Sequence, residues 1–410
     1  MRLFLWAEVL PVLALGLLAL ACAADLAAVT AVYGLEYVWR LIAWRYPSPH
    51  DHDRYPQRHI AASPQPVLFR NNPDGAAMVR AAFARVGRSE APSDEAFEQF
   101  LTRTETTSLL VLRDGELLYE SYFNGHRRDT VQTSHSMAKS ITSLLVGAAI
   151  AENKLPSIDT PAQNVLPNIK GLRDSGVSLR NLLNMTSGFA MVDLRLLWPF
   201  SVPWTTYKLT NFAPDLQSFV AAVRPKNPPG SQFLYDGRNT MLLGVILEAA
   251  TGGKHVADWL EQRLWQPMGA EYAASWSLDS RRCGFEKMSS GINARPIDFL
   301  KIGQLVLRGG ILENRQRLLP EAWIEQATTP SPRVPGWEDA DDMFYGLQWW
   351  GFTRANGPCD VFADGIFGQI LLISPINGIV VLRTGHGEGG VQSWPRLLLA
   401  LANALGPAPV

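Results

Sequence analysis

The stretch Ser136-Met137-Ala138-Lys139-Ser140-Ile141-Thr142-Ser143-Leu144-Leu145-Val146-Gly147-Ala148-Ala149-Ile150-Ala151 has no proline and alternates small with apolar side chains. It predicts a buried helix, with Thr133 and Ser134 as candidate N-caps. Within it stands a Ser-x-x-Lys, Ser136 to Lys139. A serine hydroxyl is a weak nucleophile until a neighbour takes its proton, and positions i and i+3 of a first helical turn share one face. Burial under Leu144, Leu145 and Val146 disfavours an ammonium, so Lys139 reads as a possible base. The helix N-terminus offers backbone N–H groups to a developing oxyanion. The bare pattern is weak, because chance yields about 0.4 such pairs in a chain of this composition. A capped helix with a stray lysine competes with it.

Working outward, Ser108 to Tyr122 is two apolar runs around Asp114-Gly115, which predicts a β-hairpin. Residues 155–340 break into helical patches between Pro/Gly loops, including Thr240–Ala250, His255–Leu264 and Pro296–Leu307. Two further strands, Gly368–Ile373 and Gly378–Arg383, flank Ser374-Pro375-Ile376-Asn377, and a last apolar helix runs from about Trp394 to Leu405. The expected fold class is α/β (α+β): an antiparallel sheet built from both ends of the chain, flanked by helices and carrying an inserted, mostly helical subdomain. The expected division is 1–45 as anchor or signal segment, 46–75 as linker and 76–410 as catalytic domain. Within the last, a sheet lobe takes about 76–130 and 341–410, and a helical lobe about 131–340.

Composition narrows the function. Lys plus Arg total 37 and Asp plus Glu 38, a formal net charge of −1 that argues against a nucleic-acid partner. With 47% hydrophobic and 18% charged residues, the 410-residue chain can bury a sizeable core. Cys22, Cys283 and Cys359 are too few for a disulfide scaffold and lack zinc-site spacing, leaving Cys283–Cys359 as the one conceivable bridge. Val9 to Ala24 is uninterrupted apolar sequence, continued after Asp25 through Val32. It fits a cleaved signal peptide or a retained anchor. The flanking Tyr37-Val38-Trp39-Arg40 and Trp44-Arg45-Tyr46 favour an anchor at a membrane interface, with the catalytic part outside the cytoplasm. Residues 46–75 are rich in Pro, Asp, His and Asn and read as a linker wrapping onto the domain. His50 and His52 within it suggest a metal site only weakly, since no regular spacing converges them, and a solvated linker is the expectation.

The sequence lacks GxSxG, HExxH, a P-loop and GxGxxG. It does carry, in order, the hairpin at Arg113-Asp114-Gly115, the Ser136–Lys139 helix and the run from Val177 through Leu179-Arg180-Asn181-Leu182-Leu183 to Thr186-Ser187-Gly188. Pro229-Gly230 with Phe233-Leu234-Tyr235, and Gly365-Ile366-Phe367-Gly368-Gln369, follow. On these motifs, from about Ile60 to Ala404, the chain resembles the serine β-lactamase and penicillin-binding-protein-like hydrolases. Within them it looks most like the 6-aminohexanoate-dimer hydrolase and esterase branch.

The resemblance implies that Ser136 is acylated, Lys139 is its general base and Tyr235 shuttles a proton. It implies an oxyanion hole of the Ser136 and Ile366 backbone N–H groups. Gly365 and Gly368 are candidate substrate-binding positions, Gly365 by letting the backbone approach the substrate. Neither metal nor organic cofactor is implied. Two departures stand out. The family's second motif reads Tyr235-Asp236-Gly237, without its Asn. Its Lys-Thr-Gly corresponds to Ala363-Asp364-Gly365, without the cation that holds a β-lactam carboxylate. That favours an esterase or amidase acting on a small-molecule or short peptide-like substrate. Rival readings are a peptidoglycan D,D-peptidase or class C-type β-lactamase, and a catalytically silent membrane-anchored binding module.

Arg383-Thr384-Gly385 imitates the third motif but ends the last strand, where no further strand can follow. The glycine-rich tail after it reads as a loop, and a Ser136–His386–acid triad is the lesser alternative. Trp198, Trp204, Tyr207 and Phe212 fill core or line a cleft, and Asp279 and Glu286 have no evident role.

Overall fold

The computed structural model describes residues 19–20, 23–24, 27, 30–31, 34–87, 95–190, 210–337 and 341–406. The hairpin forms as Asp114-Gly115 predicts: β3 (Thr106–Arg113) and β4 (Glu116–Tyr122) pair antiparallel, with Arg113 opposite Glu116. Asp114 (φ 50°) and Gly115 (φ 87°) both take the left-handed backbone that a two-residue hairpin turn requires.

Around it lies an eight-stranded sheet in the order β2-β4-β3-β12-β11-β10-β9-β8. Its other strands are β2 (Arg70–Asn71), β8 (Met343–Gly346), β9 (Trp349–Phe352), β10 (Asp360–Gly365), β11 (Gln369–Ser374) and β12 (Ile379–Gly385). Neighbours are antiparallel except the short β2–β4 pair, so both ends of the chain build one sheet. β3 is buried along nearly its whole length because both faces are covered. Leu109 and Val111 point into a core with Phe83, Phe100, Leu398 and Leu401, from α2 (Gly75–Val86), α3 (Phe97–Arg103) and the terminal helix Trp394–Leu405. Leu110 and Leu112 point the other way, with Leu300 of helix Pro296–Leu307 and Leu144 of α4 (Met137–Ala151). The strand period of two feeds two cores.

A second, four-stranded sheet, absent from the sequence reading, runs β1 (Gln57–Ile60), β6 (Ala274–Ser277), β7 (Ile292–Ala294), β5 (Gln132–Thr133). It takes its first strand from the segment read as linker, with Gln57 opposite Ser277.

Two expectations need correction. Thr133 belongs to β5, and the Ser134 hydroxyl donates to the His135 carbonyl, so neither caps α4. Ser136 itself occupies the N-cap position, without a capping side-chain bond. The aromatic stretch at 37–40 lies in a helix, α1 (34–44), that docks on the protein. Tyr37 and Val38 are buried with Tyr55 and Phe212, and Arg40 Nη1 donates to the Phe212 carbonyl at 3.2 Å. Trp39 and Tyr46 stay exposed, at 58% and 65%, so only part of the aromatic stretch turns into the protein. Cys283 and Cys359, the one conceivable bridge, are free thiols. The apolar run at 9–32 falls largely outside the described residues, and among those described no helix is long and apolar enough to cross a membrane.

Candidate active site

The small sheet positions two walls of one cavity. β5 leads through His135, whose left-handed φ of 43° turns the chain sharply, into Ser136 at the head of α4. β7, paired with β5, follows directly on Ser289-Ser290-Gly291. Lys139 joins the walls, its Nζ donating to Ser136 Oγ at 2.9 Å and to the Ser289 carbonyl at 2.9 Å. Lys139 is 5% exposed. Burial pulls its ammonium pKa down to about 7, against the opposing pull of the Asp236 and Asp364 carboxylates. Near neutral pH the amine therefore holds a free lone pair in a substantial share of molecules, beside a half-buried hydroxyl.

Ser136, Lys139, Tyr235, Ser289 and Ile366 line this cavity of about 90 Å³. Tyr235 is 39% exposed, and its ring centroid lies 5.0 Å from Lys139 Nζ. Trp350 and Tyr345 back it at 5.4 and 5.9 Å between ring centroids. Asp236, the middle residue of the second motif, caps helix Gly237–Ala250 by accepting from Arg238 N, and also accepts from Arg238 Nε at 2.8 Å, while Gly237 stands where the family has Asn.

The opposite wall is the β10–β11 turn. Phe367 (φ 67°) and Gly368 (φ 73°) make it tight, and Gln369 Nε2 donates to the Gly385 carbonyl at 2.6 Å, tying it to β12. Ile366 stands in the turn, 38% exposed, on the cavity. Beside it, burial first and Glu388 second raise the Asp364 pKa to about 7, while Lys139 lowers it.

The two glycines are used differently from the expectation. A Cβ on Gly365 would stand 2.6 Å from the Ser134 carbonyl oxygen, so the close approach it permits is to the backbone leading into Ser136. Gly368 is buried, and its carbonyl accepts from Arg383 Nη1 at 2.7 Å, which removes it from the substrate side. Arg383 is wholly buried against Trp394 and donates also to the Thr104 and Gly387 carbonyls, at 2.7 and 3.0 Å. The Arg383-Thr384-Gly385 motif is thus a structural tie.

His386 packs on His50 and His126 and does not line the cavity, which leaves a Ser136–His386 triad without geometry. Asp279 accepts from the backbone N–H groups of Leu216, Ser280 and Phe285, and Glu286 pairs with Arg58 at 2.6 Å; both hold loops. Phe212 is core. Trp198, Trp204 and Tyr207 lie outside the described residues. Sequence reasoning missed the Ser289 carbonyl and the Trp350–Tyr345 backing. No local pattern could have found them, because distant segments carry them.

Residues 94–405 match the beta-lactamase family. The 6-aminohexanoate-dimer hydrolase of Paenarthrobacter ureafaciens is 27% identical over 310 residues, covering 73% of this chain and 75% of that protein. A Bacillus anthracis structure assigned as a 6-aminohexanoate-dimer hydrolase superposes with a TM-score of 0.70 at 21% identity, covering 89% of this chain and 94% of that one. A penicillin-binding protein homolog from Caulobacter crescentus gives 0.59 at 16% identity, over 82% and 97% of the two chains. The family match spans most of the chain and contains both walls of the cavity, so this chain belongs to the beta-lactamase family of serine hydrolases.

Proposed function

We propose that the protein cleaves an amide or ester bond through an acyl-enzyme on Ser136. The observation that carries this is the buried Lys139 amine, held 2.9 Å from Ser136 Oγ with its pKa brought to about 7. Neutral Lys139 takes the hydroxyl proton as Ser136 attacks the substrate carbonyl, while the Ser136 and Ile366 N–H groups hold the oxyanion. Tyr235, beside Lys139, passes the proton to the leaving amine or alcohol, and water then releases the acyl group by the reverse relay. Asp364 beside Lys139 favours a substrate with no carboxylate at that point, hence an esterase or amidase over a D,D-peptidase or β-lactamase.

In this reading residues 76–410 carry the chemistry. Residues 1–45 tether the enzyme to a membrane, with the catalytic domain outside the cytoplasm. Support comes from the Val9–Ala24 run and from the exposed Leu35, Trp39 and Ile42 on α1.

The test is intact-protein mass spectrometry after exposure to a fluorophosphonate, for the parent chain and Ser136→Ala, with a β-lactam in parallel. A phosphonyl adduct on the parent alone is the expected result. Equal labelling of both proteins would remove Ser136 from the reaction, and rapid β-lactam turnover would replace the esterase reading with the β-lactamase one. No adduct from either reagent would favour the binding module.

A further inference from the structure

Four of the chain's seven histidines meet where three distant segments converge. His50 and His52 sit at the short 3-10 turn Asp51–Asp53, His126 lies between β4 and β5, and His386 follows β12. His126 Nε2 and His386 Nε2 face each other at 3.1 Å. The His50 ring packs edge-on against His386, 4.9 Å between centroids, and lies 6.0 Å from the His52 ring. His52 Nδ1 is engaged by Thr133 Oγ1 at 3.0 Å, leaving Nε2 on the side of Asp53. One ligand atom each from His50, His52 and Asp53 lies within 4.8 Å of the others. The fold supplies a convergence that spacing along the chain could not.

Two imidazole nitrogens 3.1 Å apart nearly span one edge of a metal tetrahedron, which is about 3.3–3.4 Å for metal–nitrogen bonds near 2.0–2.1 Å. The Gln132 side-chain nitrogen donates to His126 Nδ1; turning the amide over lets its oxygen accept from Nδ1–H instead, the outer contact that would leave Nε2 for the ion. His50 is exposed, so its ring can turn toward the pair without opening the core.

We propose that His126, His386 and His50, completed by His52, bind one borderline divalent cation of the zinc class. An all-imidazole donor set selects zinc, copper or nickel over magnesium or calcium. None of the four histidines lines the Ser136 cavity. The ion would clamp the segment after α1 onto β5, the strand that leads into Ser136, and its role is to hold the N-terminal segment in place.

The test uses the full chain stripped with a chelator. Zn²⁺ is titrated by calorimetry and Co²⁺ by visible absorption, for the parent, His126→Gln/His386→Gln, His50→Ala and His59→Gln. The expected result is one Zn²⁺ per parent chain, bound roughly 100-fold or more tightly than by the double variant. His50→Ala is expected to weaken binding too, and His59→Gln, an exposed control in β1, to leave it unchanged. Zn²⁺ should also slow tryptic cleavage at Arg54 in the parent and not in His50→Ala. Circular dichroism establishes that each variant is folded, and should the double variant not fold, His50→Ala decides. Equal Zn²⁺ affinity in parent and His50→Ala, or equal loss in His59→Gln, overturns the proposal.

Discussion

Replacing Gly365 by alanine isolates the backbone geometry on which the proposed oxyanion hole depends. Gly365 lies outside the left-handed region, so alanine can adopt its φ and only the added methyl matters. That methyl would stand 2.6 Å from the Ser134 carbonyl oxygen, 3.1 Å from Gln369 Cβ and 3.2 Å from His135 Cβ. Ordinary contact begins at about 3.4 Å, so a gap of about 0.8 Å must open. Neither side yields easily. Ser134 N donates to the Ile292 carbonyl at 2.7 Å, and β10 pairs with β11 from Val361 through Gly365. The gap therefore opens between the Ser136 and Ile366 backbones. Oxyanion donors act at about 2.7–3.1 Å, so this displacement takes one of them out of range and costs roughly 100-fold in kcat. KM for a small ester should move by less than about threefold, because the oxyanion exists only in the transition state. Overpacking should cost about 1–3 kcal/mol of stability. Steady-state hydrolysis of a short-chain p-nitrophenyl ester, with a thermal melt of the same samples, reads both effects. A lowered Tm with kcat within about threefold of the parent would refute the argument, since strain would be present without harm to the reacting geometry.

The acid limb of kcat/KM should rise through a pH near 7, because protonated Lys139 cannot accept the Ser136 proton. Asp364→Asn removes a carboxylate that favours the ammonium, so that limb should move to lower pH; a shift upward in the pH–rate profile would contradict the assignment. As pH rises through about 7 Asp364 gains its charge, and the preference for a neutral ester over a carboxylate-bearing one should grow. A preference measured as flat from pH 6 to 8 would place Asp364 outside the substrate's path. Arg383→Met strands the Thr104, Gly368 and Gly387 carbonyls in the interior and should cost about 3 kcal/mol or more, read as a lowered midpoint in urea. An unchanged midpoint would show those carbonyls satisfied without it.

What was legible in the sequence was local. Asp114-Gly115 specifies its own turn, Pro296 opens a helix that ends at Leu307, and the apolar run from Trp394 to Leu405 is a helix over those residues. The small sheet was not legible, because strands of two to four residues carry too little alternation to register. Its first pair joins Gln57 to Ser277, from a segment whose prolines and histidines read as linker. The same distance hid the Ser289 carbonyl, which reaches Lys139 only because β5 and β7 are neighbours. Thr133 misled for the opposite reason: a hydroxyl before an apolar run signals a cap, and here a two-residue strand uses it. Gly368 shows the limit of a motif, which records that a glycine is needed and not whether its neighbour is substrate or Arg383.

The charges around the cavity bear on what it can accept. Lys139 supplies the positive charge beside Ser136, while Arg238 is committed to Asp236 and to the Ala190 carbonyl. Where the family resemblance would put a lysine on β10 there is Ala363, with Asp364 next to it, and the cation nearest in sequence pattern, Arg383, spends its donors behind the turn. A substrate carboxylate placed about 5 Å from an ionised Asp364 would meet roughly 3 kcal/mol of repulsion at an effective dielectric near 20. A lysine at position 363 would have contributed attraction of similar size. The lost lysine and the neighbouring carboxylate act in the same direction, and together they outweigh what one pocket contact commonly contributes, which supports the proposed preference for neutral carbonyl substrates.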